Sequence, residues 1–339
     1  MQHTRRTILA ALLVGPLATV CRAAQSPRVQ RARPLMGTVV EIAAEGADAA
    51  VLGKAVDAAF REMQWLTDMM SHYDPRSVVS AINDAAGGRP MPVPPALADV
   101  LGMARRVSER TGGAFDVTVG SLRGWRFGRD EARVPTPEEI ATQLPNVDYR
   151  RLVLDERGGT AFLAAPGMRI DLGGIAKAYI LRAGLRALEQ HGIARALVNG
   201  GGDVVLAGRS DGPPWRIGVR DPRVPTQLVG VLELAHGVVV ASGDYERYFV
   251  KDGKRYHHIL DPRTGYPAAG ARGVTLLGDE LEAVNGLSVA VMVLGQEAGA
   301  RLLGAKPGVE GFIVDRGGSA WMSAGFRARL APGWSRPPH

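Results

Sequence analysis

The sequence predicts an α+β fold, with mixed sheets and packed helices forming a single unit. Strand-like and helix-like stretches alternate unevenly rather than in a regular βαβ series, and no Pro/Ser linker, internal repeat or low-complexity tract divides the body of the chain. Composition agrees. Hydrophobic residues make up 46% of the 339, ample for a large core, and the 43 glycines are well above the usual share of ~7%, so tight turns and close backbone approaches are expected in number.

Residues 1–23 read as an export signal: Arg5-Arg6, an apolar run from Ile8 to Val20, then small residues. The run contains Gly15 and Pro16 and is shorter than the ~20 residues a membrane-spanning helix needs. Arg5-Arg6 before Thr-Ile-Leu resembles a twin-arginine signal; the plainer alternative is a Sec signal that begins with two arginines. Cys21, the only cysteine, follows Val20 where a lipoprotein signal needs a small residue, so cleavage after Ala23 fits better. The mature chain would then have no thiol for disulfides or metal sites. Without the signal the formal charge falls from +7 to +4, and the arginines are scattered with no basic stripe. That argues against nucleic acid as a partner and suits an anionic small ligand.

Residues 24–33 read as a polar basic linker and 333–339 as a tail, leaving 34–332 as the body. PLMGTVVEIAAE (34–45) alternates like a first strand. Residues 47–70 repeat apolar side chains at helical spacing, from Val51/Leu52 through Phe60 and Met63 to Met70. A second helix, 96–110, starts after Pro94-Pro95 and stops at Gly112-Gly113, and GGAFDVT (112–118) reads as that stop followed by a strand. Thr136-Pro137-Glu138-Glu139 is a capping box with proline in the first helical position. Short strands split by Gly158-Gly159 and Pro166-Gly167 are expected over 152–172, then a helix over 175–190. Strands follow at 196–199, 203–207, 215–220 and 229–241, with a hairpin at KDGKRY (251–256). Helices over 282–294 and 297–303 and two strands close the chain.

Four glycine-bearing stretches hold chemistry-bearing side chains. RIDLGGIAKAY (169–179) reads as a strand running through Gly173-Gly174 into a helix, whose free N–H groups and Lys177 suit a phosphate; taken alone, an ordinary corner with an exposed lysine is the favoured reading. HHILDPRTGYP (257–267) packs two histidines, an aspartate, an arginine and a threonine into one turn, although Asp and Thr also favour turns for their local hydrogen bonds. NGGGDV (199–204) and VASGDYERY (240–248) read as turns on their own.

The order of these stretches is more informative than any one of them. MGT (36–38), MSHYDPRSVVSAIN (70–83), GAFDVT (113–118), DLGGIAK (171–177), NGGGD (199–203), ASGDYERY (241–248) and HHILDPRTG (257–265) together resemble the ApbE family, the periplasmic flavin transferases, from about Pro34 to Leu330. The resemblance implies an ApbE-like (T-fold-like) unit in the periplasm that takes FAD as substrate. It would cut the pyrophosphate, attach FMN to a Thr or Ser hydroxyl of an acceptor protein, and release AMP. The acceptor implied is a subunit of a membrane redox complex. FAD contacts carried over are Met36, Tyr73, Ala114, Phe115, Asp116, Asp171, Lys177 and the backbone at Leu260. His258 is the candidate base for the acceptor hydroxyl, and Asp261 the candidate for orienting it.

The resemblance also implies Mg²⁺, held in the family by a backbone carbonyl at the position of Gly174 and by side chains on the late helix. Here those side-chain positions are occupied by Asn285, Ser288 and Val289. Val289 offers no donor, and a hard cation is normally held through at least one carboxylate. Two other readings therefore stand beside the transferase: a flavin-binding carrier with a degenerate metal site, and an FAD pyrophosphatase.

Overall fold

The computed structural model describes residues 27–128, 131–208 and 212–334. The expected export signal and most of the expected tail lie outside the described residues. Eight antiparallel strands form the main sheet, running from edge to edge as Arg28–Leu35, Thr38–Glu45, Arg195–Gly200, Asp203–Ala207, Gly237–Gly243, Gly273–Gly278, Val309–Val314 and Ala320–Met322. Their order in space is their order in the chain. Four long connections leave the sheet and return to it, and most of the candidate site residues lie on them or where they rejoin it.

The sheet is buried on both faces, so its inner strands lack the polar alternation of a half-exposed sheet. Val238 and Val240 join the core formed with the helices. Val239, between them, joins Trp215, Val229, Leu232, Phe312 and Phe326 on the other face. The helical layer is built on Ala49–Met70 and Ala176–Gln190. Asp48 caps the first by accepting the Ala50 and Val51 N–H groups at 2.7 and 3.0 Å. The second approaches closely because of Gly184, where a Cβ would lie 2.7 Å from Met63 Sδ.

Five expectations are corrected. Most of the expected linker is strand: Arg28–Leu35 pairs along its whole length with Thr38–Glu45 as the sheet's edge, and its three exposed arginines are the kind of charge that discourages further pairing at an edge. The single strand expected at 229–241 is two, Leu228–Leu234 in a ribbon with Trp215–Arg220 and Gly237–Gly243 in the main sheet, separated by a turn that needs Gly237 at φ 115. GAFDVT leads into a 3₁₀ turn, Val117–Ser121, rather than a strand, because the Asp116 carboxylate caps it.

The helix expected over 282–294 breaks at Asn285-Gly286 into Leu281–Val284 and Leu287–Leu294, with Gly286 left-handed at φ 75. Residues 168–172 alternate as a strand should, with Met168, Ile170 and Leu172 buried, yet they join no ladder. Side chains and turn carbonyls take the ladder's place. Asn83 accepts the Ile170 N–H at 2.7 Å and donates to its carbonyl at 3.1 Å, Ser121 Oγ accepts the Arg169 N–H at 3.0 Å, and Val117 O accepts the Asp171 N–H at 2.8 Å. Asn83→Ala leaves two buried backbone groups unpaired, so a loss of about 2 kcal/mol is expected in denaturant unfolding.

Candidate functional site

One end of the main sheet gathers stretches that are far apart in sequence. The turn Met36-Gly37 joins the first two strands with both residues left-handed, φ 54 and 69. For methionine that conformation is strained, and strain of this kind concentrates at working surfaces. Thr38 abuts the next turn, where a Cβ on Gly201 would lie 2.9 Å from Thr38 Oγ1. Asp203 then accepts the Ala241 N–H through Oδ1 at 3.0 Å and pairs through Oδ2 with Lys177 Nζ at 3.3 Å. MGT, NGGGD, ASGD and DLGGIAK therefore meet here.

Lys177 stands in the first turn of Ala176–Gln190. Two N–H groups at this helix start, those of Ile175 and Ala176, bond back to Leu172 O at 2.9 and 2.8 Å. A ligand at the turn thus meets the lysine and fewer free N–H groups than an open helix start presents.

Asp171 Oδ1 accepts the Gly173 N–H at 2.7 Å and lies 3.2 Å from His72 Nδ1. Burial alone would raise its pKa; the His72 bond and attraction, the Gly173 N–H and nearby His258 outweigh burial and hold it low. A carboxylate held low in the fold adds stability that is present above its ordinary value of 3.8 and lost as pH falls through the lowered value. Asp171→Asn is therefore expected to flatten the acid limb of a plot of melting temperature against pH.

His258 is half-buried beside these groups. Its backbone N–H donates to Arg247 O at 3.1 Å, and Nδ1 lies 3.3 Å from the same carbonyl. A carbonyl only accepts, so Nδ1 carries the proton and Nε2 is left as the acceptor. Burial, then the charges of Arg247, His257 and Lys177, push its pKa down to about 4, leaving a neutral imidazole at neutral pH.

Asp261 does not orient His258. Its Oδ1 accepts from the Arg263 backbone N–H and Nε, both at 2.9 Å, and its Oδ2 from Arg263 Nη2 at 2.7 Å. Its backbone closes the same turn, donating to Tyr266 O and accepting from Gly265 N, both at 2.8 Å. Asp261 is the hub of the DPRTG turn. Leu260, next to it, packs in a cluster with Trp125, Phe249 and Tyr256, and Trp125 Nε1 donates to Gly265 O at 2.9 Å.

The remaining expected contacts differ in exposure. Tyr73 is 72% exposed, its ring 3.8 Å from that of His72. Ala114, Phe115 and Asp116 are buried. Asp116 accepts from Thr118 N at 2.7 Å, Thr118 Oγ1 at 2.6 Å and Tyr149 N at 2.8 Å. Burial nevertheless keeps its pKa raised against those bonds.

The expected metal positions converge but do not form a cation site. Asn285 is buried, and its Nδ2 donates to Ile175 O at 2.9 Å. Ser288 Oγ bonds Ser242 Oγ at 2.9 Å. Val289 and Phe115 flank Gly174, where a Cβ would meet Phe115 Cε2 at 3.2 Å and Val289 Cγ2 at 3.3 Å. Glu282 is turned to Arg106 at 2.7 Å. Among the described residues, no group of three or more His, Cys, Asp or Glu side chains is placed to hold a metal ion. These residues do not fit Mg²⁺.

A sequence pattern described as the ApbE family matches residues 36–313. The chain belongs to the ApbE family. An FAD:protein FMN transferase of Treponema pallidum is 32% identical over 323 residues, covering 88% of each chain. One from Vibrio cholerae is 35% identical over 283 residues, covering 80% of this chain and 83% of its own length. The solved ApbE protein of Thermotoga maritima MSB8 superposes with a TM-score of 0.83 at 34% identity, covering 90% of this chain and all of its own. The flavin transferase ApbE of Vibrio cholerae gives 0.78 at 31%, with the same coverage. The α+β expectation and the family resemblance agree with these matches.

Two residues at this ApbE site were not singled out from the sequence. His72 lies inside a family stretch but has the composition of an exposed loop. Asp203 reads as a turn residue, and only the folded sheet brings it to Lys177.

Proposed function

We propose that this chain is an FAD:protein FMN transferase that works in the periplasm after export through its twin-arginine-like signal. The observation that carries the chemical reading is the neutral imidazole of His258 grouped with Lys177 and Asp171 at the sheet end. An acceptor Thr or Ser oxygen forms the new bond to the FMN phosphorus, the pyrophosphate P–O bond breaks, and AMP leaves. Nε2 of His258 takes the hydroxyl proton as the oxygen attacks. Lys177, held in place by Asp203, offers positive charge to the phosphate oxygens, where catalysis is mostly positioning and charge stabilisation. Asp171, fixed by His72 and Gly173, presents a carboxylate to the substrate's donors, while the exposed Tyr73 ring and Met36 offer flat and polarisable surfaces to its rings. The residues present support no step through a metal ion, so none enters this scheme.

The acceptor is a protein carrying a target Thr or Ser, with a subunit of a membrane redox complex as the expected class. Among the described residues no helix is long and apolar enough to cross a membrane. Incubating the protein with FAD and an acceptor domain, followed by intact-mass measurement and an AMP assay, separates the readings. A flavinylated acceptor with equimolar AMP supports the transferase. AMP alone indicates a pyrophosphatase, and retained FAD with neither product indicates a carrier.

A further inference from the structure

We propose that this chain binds and turns over FAD without a divalent cation, because the place where a cation would sit is closed by hydrogen bonds and apolar packing of its own. The inference rests on the transferase reading above and concerns the same pocket.

Asn285 carries the argument. Its side chain is buried and faces the carbonyl of Ile175, with Nδ2 to O at 2.9 Å. A carboxylate in that position would set two acceptors against each other away from water. Such an arrangement is tolerable only with a cation between them or a proton on the acid. The amide removes the conflict by donating an N–H to that carbonyl, so the position carries no negative charge to hold a cation and its donor side is already satisfied. Ser288 Oγ faces Ser242 Oγ at 2.9 Å, two neutral oxygens with no carboxylate beside them to balance a cation's charge. Val289 adds methyl groups against Gly174 and the Phe115 ring, where a cation needs oxygen ligands.

Charge balance points the same way. A cation site with a carboxylate supplies a net positive charge beside the substrate's phosphates; removing the carboxylate together with the cation leaves a smaller deficit than removing the cation alone. A fixed charge reduces that deficit further: Lys177 stands at the turn, held by Asp203 at 3.3 Å.

The test compares the mature native protein with the double variant N285D/V289T, each with excess EDTA and with millimolar Mg²⁺. It reads melting temperature, FAD affinity by flavin fluorescence, and FMN transfer. For the native protein all three are expected to be unchanged by Mg²⁺, with affinity agreeing within about twofold. The double variant is expected to melt lower in EDTA and to recover with Mg²⁺, as a fold that gains a ligand does, and to bind FAD about tenfold more tightly when Mg²⁺ is present. V289T alone is expected to stay insensitive, because Asn285 still fills the locus. The proposal is overturned if EDTA abolishes native FAD binding or transfer and Mg²⁺ restores it, or if the double variant ignores Mg²⁺. Native protein that binds FAD and releases AMP without a cation but modifies no acceptor would refute the transferase reading and leave this inference standing; cation-independent affinity with no AMP in either condition would overturn the turnover it claims.

Discussion

The His258→Ala protein is expected to transfer FMN at least about 100-fold more slowly than the native chain while binding FAD with little change. The imidazole is poised rather than merely present. Nδ1 is turned to the Arg247 carbonyl, Nε2 is left as the acceptor, and burial with three neighbouring cationic or ionisable groups holds the pKa near 4. Since the neutral form is the base, native transfer should fall as pH drops through about 4 and be insensitive to this group above it. The alanine variant should lack that limb. Stability reports the same group independently. Its folded pKa is depressed from 6.5, so the unfolded chain binds more protons between about 4 and 6.5, and native stability rises with pH across that window. His258→Ala should reduce the slope, and His257, also held down by burial, should leave a residue of it. Full transfer activity in the variant would remove His258 from the mechanism.

The second large effect is expected at Gly120, which supplies no chemistry itself but lies against the backbone that carries Asp171. A Cβ there would lie 2.8 Å from Ile170 C and 2.9 Å from both Arg169 O and Asp171 N. These are backbone atoms, already committed to Asn83, Ser121 and Val117, and they have nowhere to go. Gly120→Ala should therefore push the 3₁₀ turn off the 169–171 segment, costing about 3 kcal/mol and weakening FAD binding by displacing Asp171. Gly53, on the long helix with nothing within 4 Å of its added Cβ, is the matched control. Gly53→Ala should be neutral or stabilising by up to about 1 kcal/mol. Equal losses at the two positions would mean that the 120–170 contact has no special place in the site.

Much of the fold was legible because burial wrote it into the spacing of apolar residues. The helix Ala49–Met70 shows an unbroken apolar stripe, and Thr136 with Glu139 announces a helix start that the structure realises as a reciprocal capping box. The edge strand Arg28–Leu35 was not legible, because a strand that borders solvent need not alternate and this one is rich in arginine. Residues 168–172 misled for the opposite reason. Their alternation is genuine, but the partners of their backbone are the side chains of Asn83 and Ser121, which no local pattern reveals.

The site divides along the same line. Asp261 reaches only two residues ahead to Arg263, so its place in the turn could be read from turn chemistry alone. The pairs Lys177–Asp203 and His72–Asp171 join segments that the chain separates widely, and they became visible only in the folded sheet. The substitutions at 285 and 289 were plain in the sequence. Their consequence required seeing the Ile175 carbonyl opposite the Asn285 amide.

The coincidence of strand order with chain order governs how the enzyme comes into being. Each strand of the main sheet bonds to the one made before it, so the sheet can be laid down from one edge as the polypeptide grows. The sheet end that carries Lys177 and Asp203 is completed late, when the strand Gly273–Gly278 is in place and the helix after it brings Ser288 to Ser242. A fragment ending before that strand holds Lys177, Asp203 and His258 but leaves Gly237–Gly243 unpaired on one side and Ser242 without Ser288. The frame around the candidate site is therefore among the last parts of the sheet to be made, so a truncated chain can carry every residue assigned to chemistry and still lack the support that sets them.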